Sequence, residues 1–492
     1  MNGAKGGPIR LGPSLAGAAV FFAVTSLATG VAKATTLELH DEVRGAEVAE
    51  AEVRPRGAGS WRTVSWDALE DESLAPGAYQ VRVQLDVGAT GQSVQVPACA
   101  GRQRVTIDGR EALAGPGPVV VPVGPGRHEV MVTVAVSAYE RRIACGERPR
   151  IGAATRGIEG LGLLRFDSPR HGPDAGSAVL YVPPGHDVRR AATLLVGLHP
   201  WNGSIWTYAA YAGLLREADA RDMLLLFPSG LGNSLYTADA EDEVMRAIDA
   251  AAGAVSVEAR AVSLWGASMG GAGATTVGLH HPDRFASITS FFGDSRYDLA
   301  TYVRALLPDE RAAHRVNALD VVDNARHVPI WLVHGEADRT SPIRQSEILA
   351  RALAQRGFAV RFDHIAGEGH SGALVGRYLP GVVAAAASAR VPASVSRVTY
   401  RSVRPEDTGA YGIRLERGDG RSSPEPGRDV DVADAFVDVE ALADAVHVHA
   451  EGVRELELAR GALGTDPEHP PPIVLDGKSG RLAVHWSAGA AR

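Results

Sequence analysis

Three residues spread along the chain could together remove a proton, attack a carbonyl carbon and pass the proton on. Ser268 stands in "AVSLWGASMGGAG", residues 261–273, between Gly266 and Gly270 in the spacing G-x-S-x-G. With 56 glycines in 492 residues, that five-residue pattern alone is a weak signal. Its context is stronger. The apolar run "AVSLWG" reads as a strand, and "MGGAGATTV" opens a helix directly after the serine. A serine on such a turn exposes its hydroxyl above the carboxyl edge of a sheet, and Gly266 and Gly270 let the turn and the helix approach closely. The hydroxyl still needs a base to take its proton and an acid to orient that base. Downstream, "VPIWLVHGEADRTSP" puts Asp338 just past an apolar strand, and "VRFDHIAGEGHSG" puts His370 just past the next. Serine, acid and histidine in that order, each at the carboxyl end of its strand, fit one site at one sheet edge.

Other residues compete for these roles. Glu336 lies earlier in the Asp338 turn, Asp363 and His364 lie within a strand, and His280 and His281 fall near a helix end, where a cap or surface role is expected. Charge developing on an attacked carbonyl needs backbone donors, and Met269, the residue after the serine, offers one. A second is expected from "GLHPWNGS": Pro200 has no N–H, so Trp201 is the candidate and Asn202 the reserve, the alternative being that Trp201 only packs. Trp206, Tyr208, Tyr211 and Tyr297 either line an acyl or sugar cleft or pack at a domain boundary.

The elements that must hold these residues follow from periodicity. Over 156–390, the runs "ATLLVGLHP", "MLLLFPSG", "AVSLWG", "ASITSFFG", "VPIWLVHG" and "AVRFDHIAG" alternate with helical stretches, which predicts a mostly parallel, doubly wound sheet. The segment 295–327 between two of these strands is long enough for a small cap. Residues 35–155 carry short valine-rich alternating strands and an Asp108-Gly109 hairpin signal, which predicts a β-sandwich-like domain. Residues 391–492 return to β alternation, with a second hairpin signal at Asp476-Gly477 and a loop at "GRSSPEPGRD". Every candidate for the chemistry falls within 156–390, so that segment is expected to act on short substrates by itself.

Residues 1–34 read as a signal peptide: Lys5 and Arg10 precede an apolar segment that ends in "VAKA", giving cleavage after Ala34. An uncleaved anchor is the alternative. Export, to the periplasm or beyond the cell, makes Cys99 and Cys145, the two cysteines of the chain, an expected disulfide rather than two buried thiols. After cleavage no stable membrane insertion is expected. A net charge of −8 without a basic, aromatic-studded run argues against a nucleic-acid partner. No HExxH, clustered ligand set or early G-x-G-x-x-G occurs, so neither metal nor nucleotide cofactor is expected.

The stretch "PIWLVHGEADRTSPIRQSEILARALAQRGFAVRFDHIAGEGH" resembles the end of the prolyl oligopeptidase-type (S9-like) α/β-hydrolase catalytic domain. "GASMGG" followed by "HHPDRFASI" is similar to that group and to its secreted esterase relatives. The resemblance covers roughly 160–390 and implies Ser268 as nucleophile, Asp338 as acid and His370 as base. Residues 35–155 are too short for the gating propeller of prolyl oligopeptidases and lack blade repeats. The expectation is therefore an exported serine hydrolase acting on a carboxylic ester, small or part of a polymer or glycan. An S9-like peptidase and a cell-envelope binding protein on a hydrolase scaffold are the alternatives.

Overall fold

The computed structural model describes residues 35–57, 59–168, 172–297, 301–418, 434–476 and 482–490. The signal peptide expected over 1–34 and the loop expected at "GRSSPEPGRD" lie outside these residues. Among the described residues, no helix is long and apolar enough to cross a membrane.

The central sheet is built from eight strands: β1 (Gly160–Ser168), β2 (Gly172–Val182), β3 (Ala192–Leu198), β4 (Leu224–Pro228), β5 (Val257–Ala267), β6 (Ser287–Phe291), β7 (Ile330–Gly335) and β8 (Val360–Ile365). Their spatial order is β1-β2-β4-β3-β5-β6-β7-β8. The β1–β2 and β2–β4 pairs are antiparallel, and every pair from β4–β3 to β7–β8 is parallel. Strands such as "LLLFP" and "IWLVHG" are buried along their whole length because helices cover both faces. One face packs on α1 (Ala212–Asp219) and α5 (Gly372–Ser388), through Leu214, Leu215, Leu374 and Leu379. The other packs on α2 (Asp239–Ala254), α3 (Met269–His280) and α4 (Arg344–Gln355), through Val244, Val277, Leu349 and Leu353. The three-residue strand Thr35–Leu37, from the amino-terminal region, pairs antiparallel with β1 and extends this sheet.

Two β-rich regions flank the sheet. Upstream, a six-stranded and a four-stranded sheet enclose a core of Val81, Val83, Val105, Val130 and Val132. Asp108 and Gly109 both take positive φ, 50° and 74°, in the turn that pairs Ile107 with Arg110, the geometry a tight two-residue hairpin requires. Cys99 and Cys145 form a disulfide inside this region. Downstream, a four-stranded and a three-stranded sheet enclose Val437, Val439, Val448, Leu456 and Leu458. Gly477 of the second hairpin signal lies outside the described residues; the strands on either side do not pair with each other, Ile473–Leu475 joining the four-stranded sheet and Ala483–Ala490 the three-stranded one. Each strand instead runs parallel to an earlier partner.

The downstream region is joined to the central sheet by a buried charge network. Arg404 donates to both carboxylate oxygens of Glu241 on α2 (2.8 and 2.5 Å) and to Asp407 (2.9 Å). Asp407 also meets His280 Nδ1 at 2.9 Å, and Glu241 meets His281 Nε2 at 2.7 Å. His280 is therefore a buried interface residue rather than an exposed helix-end group. Burial alone would raise the Glu241 pKa, but the His281 hydrogen bond and the Arg404 charge outweigh it and hold it far below the ordinary 4.5. A depressed carboxylate stabilises the fold at pH values above 4.5 and loses that contribution as pH falls toward its folded pKa. Arg404→Ala should cost about 3 kcal/mol at neutral pH, the lower end for a broken buried pair, because Glu241 loses its buried cation and keeps only the His281 hydrogen bond. Urea denaturation of wild type and variant between neutral and acid pH checks this: the gap should narrow on acidification.

Candidate active site

Ser268 sits at the junction of β5 and α3 with φ 57° and ψ −120°, a region a non-glycine residue enters only when its surroundings hold it there. Its N–H donates to the Phe291 carbonyl at the end of β6 (2.9 Å), and its carbonyl accepts from Ala272 (3.0 Å). Close backbone packing fixes the rest of the turn. A side chain on Gly270 would fall well inside contact distance of the Leu198 carbonyl, and one on Gly266 would meet the Gly270 carbonyl. The two glycines are what let β3, β5 and α3 converge under the serine.

The acid and histidine arrive on the loops that leave β7 and β8. His370 Nε2 lies 2.8 Å from Ser268 Oγ, and His370 Nδ1 lies 2.7 Å from Asp338 Oδ2. Asp338 is buried, and its Oδ1 accepts the N–H groups of Thr340 (2.8 Å) and Ser341 (3.0 Å). His334 Nε2 donates to the Ser341 carbonyl (2.9 Å) and stands 3.6 Å from Asp338 Oδ2. Burial pushes the Asp338 carboxyl up; His334, His370 and the Ser341 N–H outweigh it and hold the group well below the usual carboxylate range. An ionised carboxylate on Nδ1 fixes the ring so that Nε2 faces the serine hydroxyl. Such an arrangement can deprotonate a hydroxyl as it attacks a carbonyl carbon.

The competing acids are engaged elsewhere. Glu336 accepts from His364 (2.7 Å) at an exposed position, and Asp363 takes Arg361 and the Trp331 indole N–H.

Met269 is the first residue of α3, so its N–H has no partner within the helix. The loop after β3 passes beside the elbow, with the Leu198 and His199 carbonyls against Gly270. Within it Trp201 is 36% exposed, and the Asn202 N–H is taken by Asn233 Oδ1 (2.7 Å), which removes the reserve donor. Asn233 Nδ2 returns a bond to Asn202 Oδ1 (2.8 Å), tying this loop to the one after β4. Tyr208, Tyr211 and Tyr297 are buried, Tyr208 bridging the Leu198 carbonyl and the Ala267 N–H, so they pack rather than line an open cleft. The described parts of the 295–327 segment include the short helical turns Glu310–His314 and Ala318–His327. Among the described residues, no three His, Cys, Asp or Glu side chains gather into a metal-ligand set.

Two aromatic neighbours of His370 were not singled out from sequence. The Phe292 ring centroid lies 4.3 Å from the imidazole and that of Tyr139 lies 5.8 Å away, edge-on. Phe292 follows a candidate strand and could have been suspected. Tyr139 belongs to the amino-terminal β region, and nothing local marks it.

Residues 220–402 match the family model described as a putative esterase. No curated protein matches the chain. Among solved structures it is similar to an S-formylglutathione hydrolase from Agrobacterium tumefaciens, at 18% identity over 47% of this chain and 95% of that one (TM-score 0.42). It is also similar to a ferulic acid esterase, at 16% identity over 43% and 92% (TM-score 0.37). An acylaminoacyl peptidase from Pyrococcus horikoshii aligns at 14% identity over 42% and 38% (TM-score 0.36).

Because Gly270 abuts the β3 backbone, Gly270→Ala should destabilise the chain by about 3 kcal/mol or more, the upper end of overpacking costs. Denaturant titration measures this, and an unchanged midpoint would mean that β3 can withdraw from the elbow.

Proposed function

We propose that this chain, an enzyme of the α/β-hydrolase fold and esterase class, is an exported serine hydrolase that cleaves carboxylic esters through an acyl-enzyme. The observation that carries the reading is the unbroken hydrogen-bonded line from Ser268 Oγ through His370 to Asp338, 2.8 and 2.7 Å. In this mechanism Ser268 attacks the ester carbonyl while His370 Nε2 takes its proton. The Met269 and Trp201 N–H groups receive the oxyanion, and His370 returns the proton to the departing alcohol. Water then repeats the sequence on the acyl-enzyme, and Asp338 stays ionised throughout to hold the imidazolium.

Trp201 and Leu231, each 36% exposed, sit on the loops tied by Asn202 and Asn233 and offer an apolar rim for the acyl group. A buried disulfide supports folding in an oxidising compartment. We read the organisation as a sandwich-like domain at 35–155, a catalytic domain at 156–390 and a β-rich domain at 391–492. The flanking domains fit a role in presenting a polymeric or glycan-linked ester.

A fluorophosphonate probe should label Ser268, and Ser268→Ala should abolish the labelling. His370→Ala should lower kcat by about 1,000-fold or more, since the base is lost while the oxyanion donors remain. Asp338→Asn should be severe and Glu336→Gln mild; the reverse ranking would move the acid to Glu336. Turnover of p-nitrophenyl esters should exceed that of aminoacyl-nitroanilides, and the opposite preference would make the chain a peptidase.

A further inference from the structure

The segment that leaves strand Gly126–Val136 of the amino-terminal region crosses to the catalytic sheet before returning as Arg150–Gly157. Three of its residues close on the start of α5, directly beyond His370. The Tyr139 carbonyl accepts the Gly372 N–H (3.0 Å), and Arg142 Nη2 donates to the Gly372 carbonyl (3.1 Å). Glu140 accepts the Tyr211 hydroxyl (2.7 Å) and the Arg142 Nε–H (3.3 Å). Both backbone groups of a residue two positions past the histidine are thus held from another part of the chain. The fit is close: a side chain on Gly372 would come within 2.6 Å of Glu140, and one on Gly376 within 2.7 Å of Arg142. The Tyr139 ring then meets the His370 imidazole edge-on.

The far end of the segment is fastened twice. The Gly146 N–H donates to the Ala210 carbonyl (2.7 Å) next to α1, and Cys145 is bonded to Cys99 in the amino-terminal core. Arg142 is buried, and it is neutralised in place by Glu140 (3.3 Å) and Glu70 (3.4 Å). A buried cation so paired, with its guanidinium 4.5 Å over the Tyr211 ring, fixes one geometry.

We infer that Tyr139, Glu140 and Arg142 are positioning residues for His370, so that the amino-terminal region supplies a wall of the catalytic site and the 156–390 segment lacks part of it. The inference rests on the reading of His370 as the base. Its physical ground is that Asp338 fixes one edge of the imidazole, whereas the backbone carrying the ring is fixed by the clasp on Gly372. A displacement of about 1 Å at a reacting group can cost on the order of 100-fold in rate.

The test uses the full chain, with Tyr139→Ala, Tyr139→Phe and Arg142→Met. Kinetics on p-nitrophenyl acetate are read beside the rate of fluorophosphonate labelling and the thermal midpoint. Tyr139→Ala and Arg142→Met should each lower kcat and the labelling rate by about tenfold or more, with KM within about twofold, because positioning acts on the chemical step. Tyr139→Phe should restore kcat to within about twofold of wild type, since the ring and not the hydroxyl meets His370. Wild-type kcat in Tyr139→Ala, or an equal loss in Tyr139→Phe, overturns the inference. A wild-type chain that takes no label at Ser268 overturns the serine hydrolase reading instead.

Discussion

The close approach of three backbones beneath Ser268 is the constraint on which the rest of the molecule depends. The Leu198 carbonyl, the Gly270 backbone and the end of β5 occupy space that a single methyl group would deny them. That contact forces Ser268 into a conformation that costs energy of order 1–3 kcal/mol, met by the surrounding sheet. In return the hydroxyl stands clear of the sheet edge, where loops from β7 and β8 can reach it. The first turn of α3 also begins there, where the Met269 N–H has no partner within the helix. The parallel order of β3, β5, β6, β7 and β8 is the frame that makes these loops neighbours.

Buried charge is used twice, with different outcomes. Asp338 is surrounded by donors and remains an anion that orients one imidazole. Glu241, Arg404, Asp407, His280 and His281 form a closed network at the contact with the downstream β region, where every charge faces an opposite one or a ring nitrogen. The first leaves one atom of His370 facing a reactive hydroxyl. The second leaves nothing pointed outward and serves as a joint. Removing Arg404 from the joint leaves Glu241 and Asp407 each with a single histidine partner, so the loss is read in stability rather than in chemistry.

Local pattern made much of this legible. The strands of the parallel sheet are continuous apolar runs because both their faces are covered, and the loops that follow them could be read off with Asp338 and His370 in place. Asp108-Gly109 announced its hairpin because the turn's φ values belong to those two residue types. Asp476-Gly477 carries the same signal, yet the strands around it join different sheets, since pairing is decided by partners far along the chain. His280 does end α3, but its burial was not legible locally because its partner, Asp407, lies in another region. Tyr139 and Thr35–Leu37 were invisible for the same reason: each sits in a segment whose own periodicity belongs to a sandwich or to no element, and each acquires its place only through a contact across regions.

The disulfide has a kinetic side. Cys99 is fully buried and Cys145 is 4% exposed, within the packed core of the amino-terminal region. A thiolate must approach along the sulfur–sulfur axis to exchange with such a bond, and the two sulfurs differ in reach: Cys145 borders a small cleft lined by Trp66, Glu70, Ile143 and Arg216, whereas Cys99 has no exposed surface. Attack on the Cys99 sulfur has to wait for the region to open, while Cys145 is the sulfur that stands nearer to reductant. One covalent bond thus has a guarded end and an approachable one, and the leaving thiolate in an exchange at Cys145 is the buried Cys99.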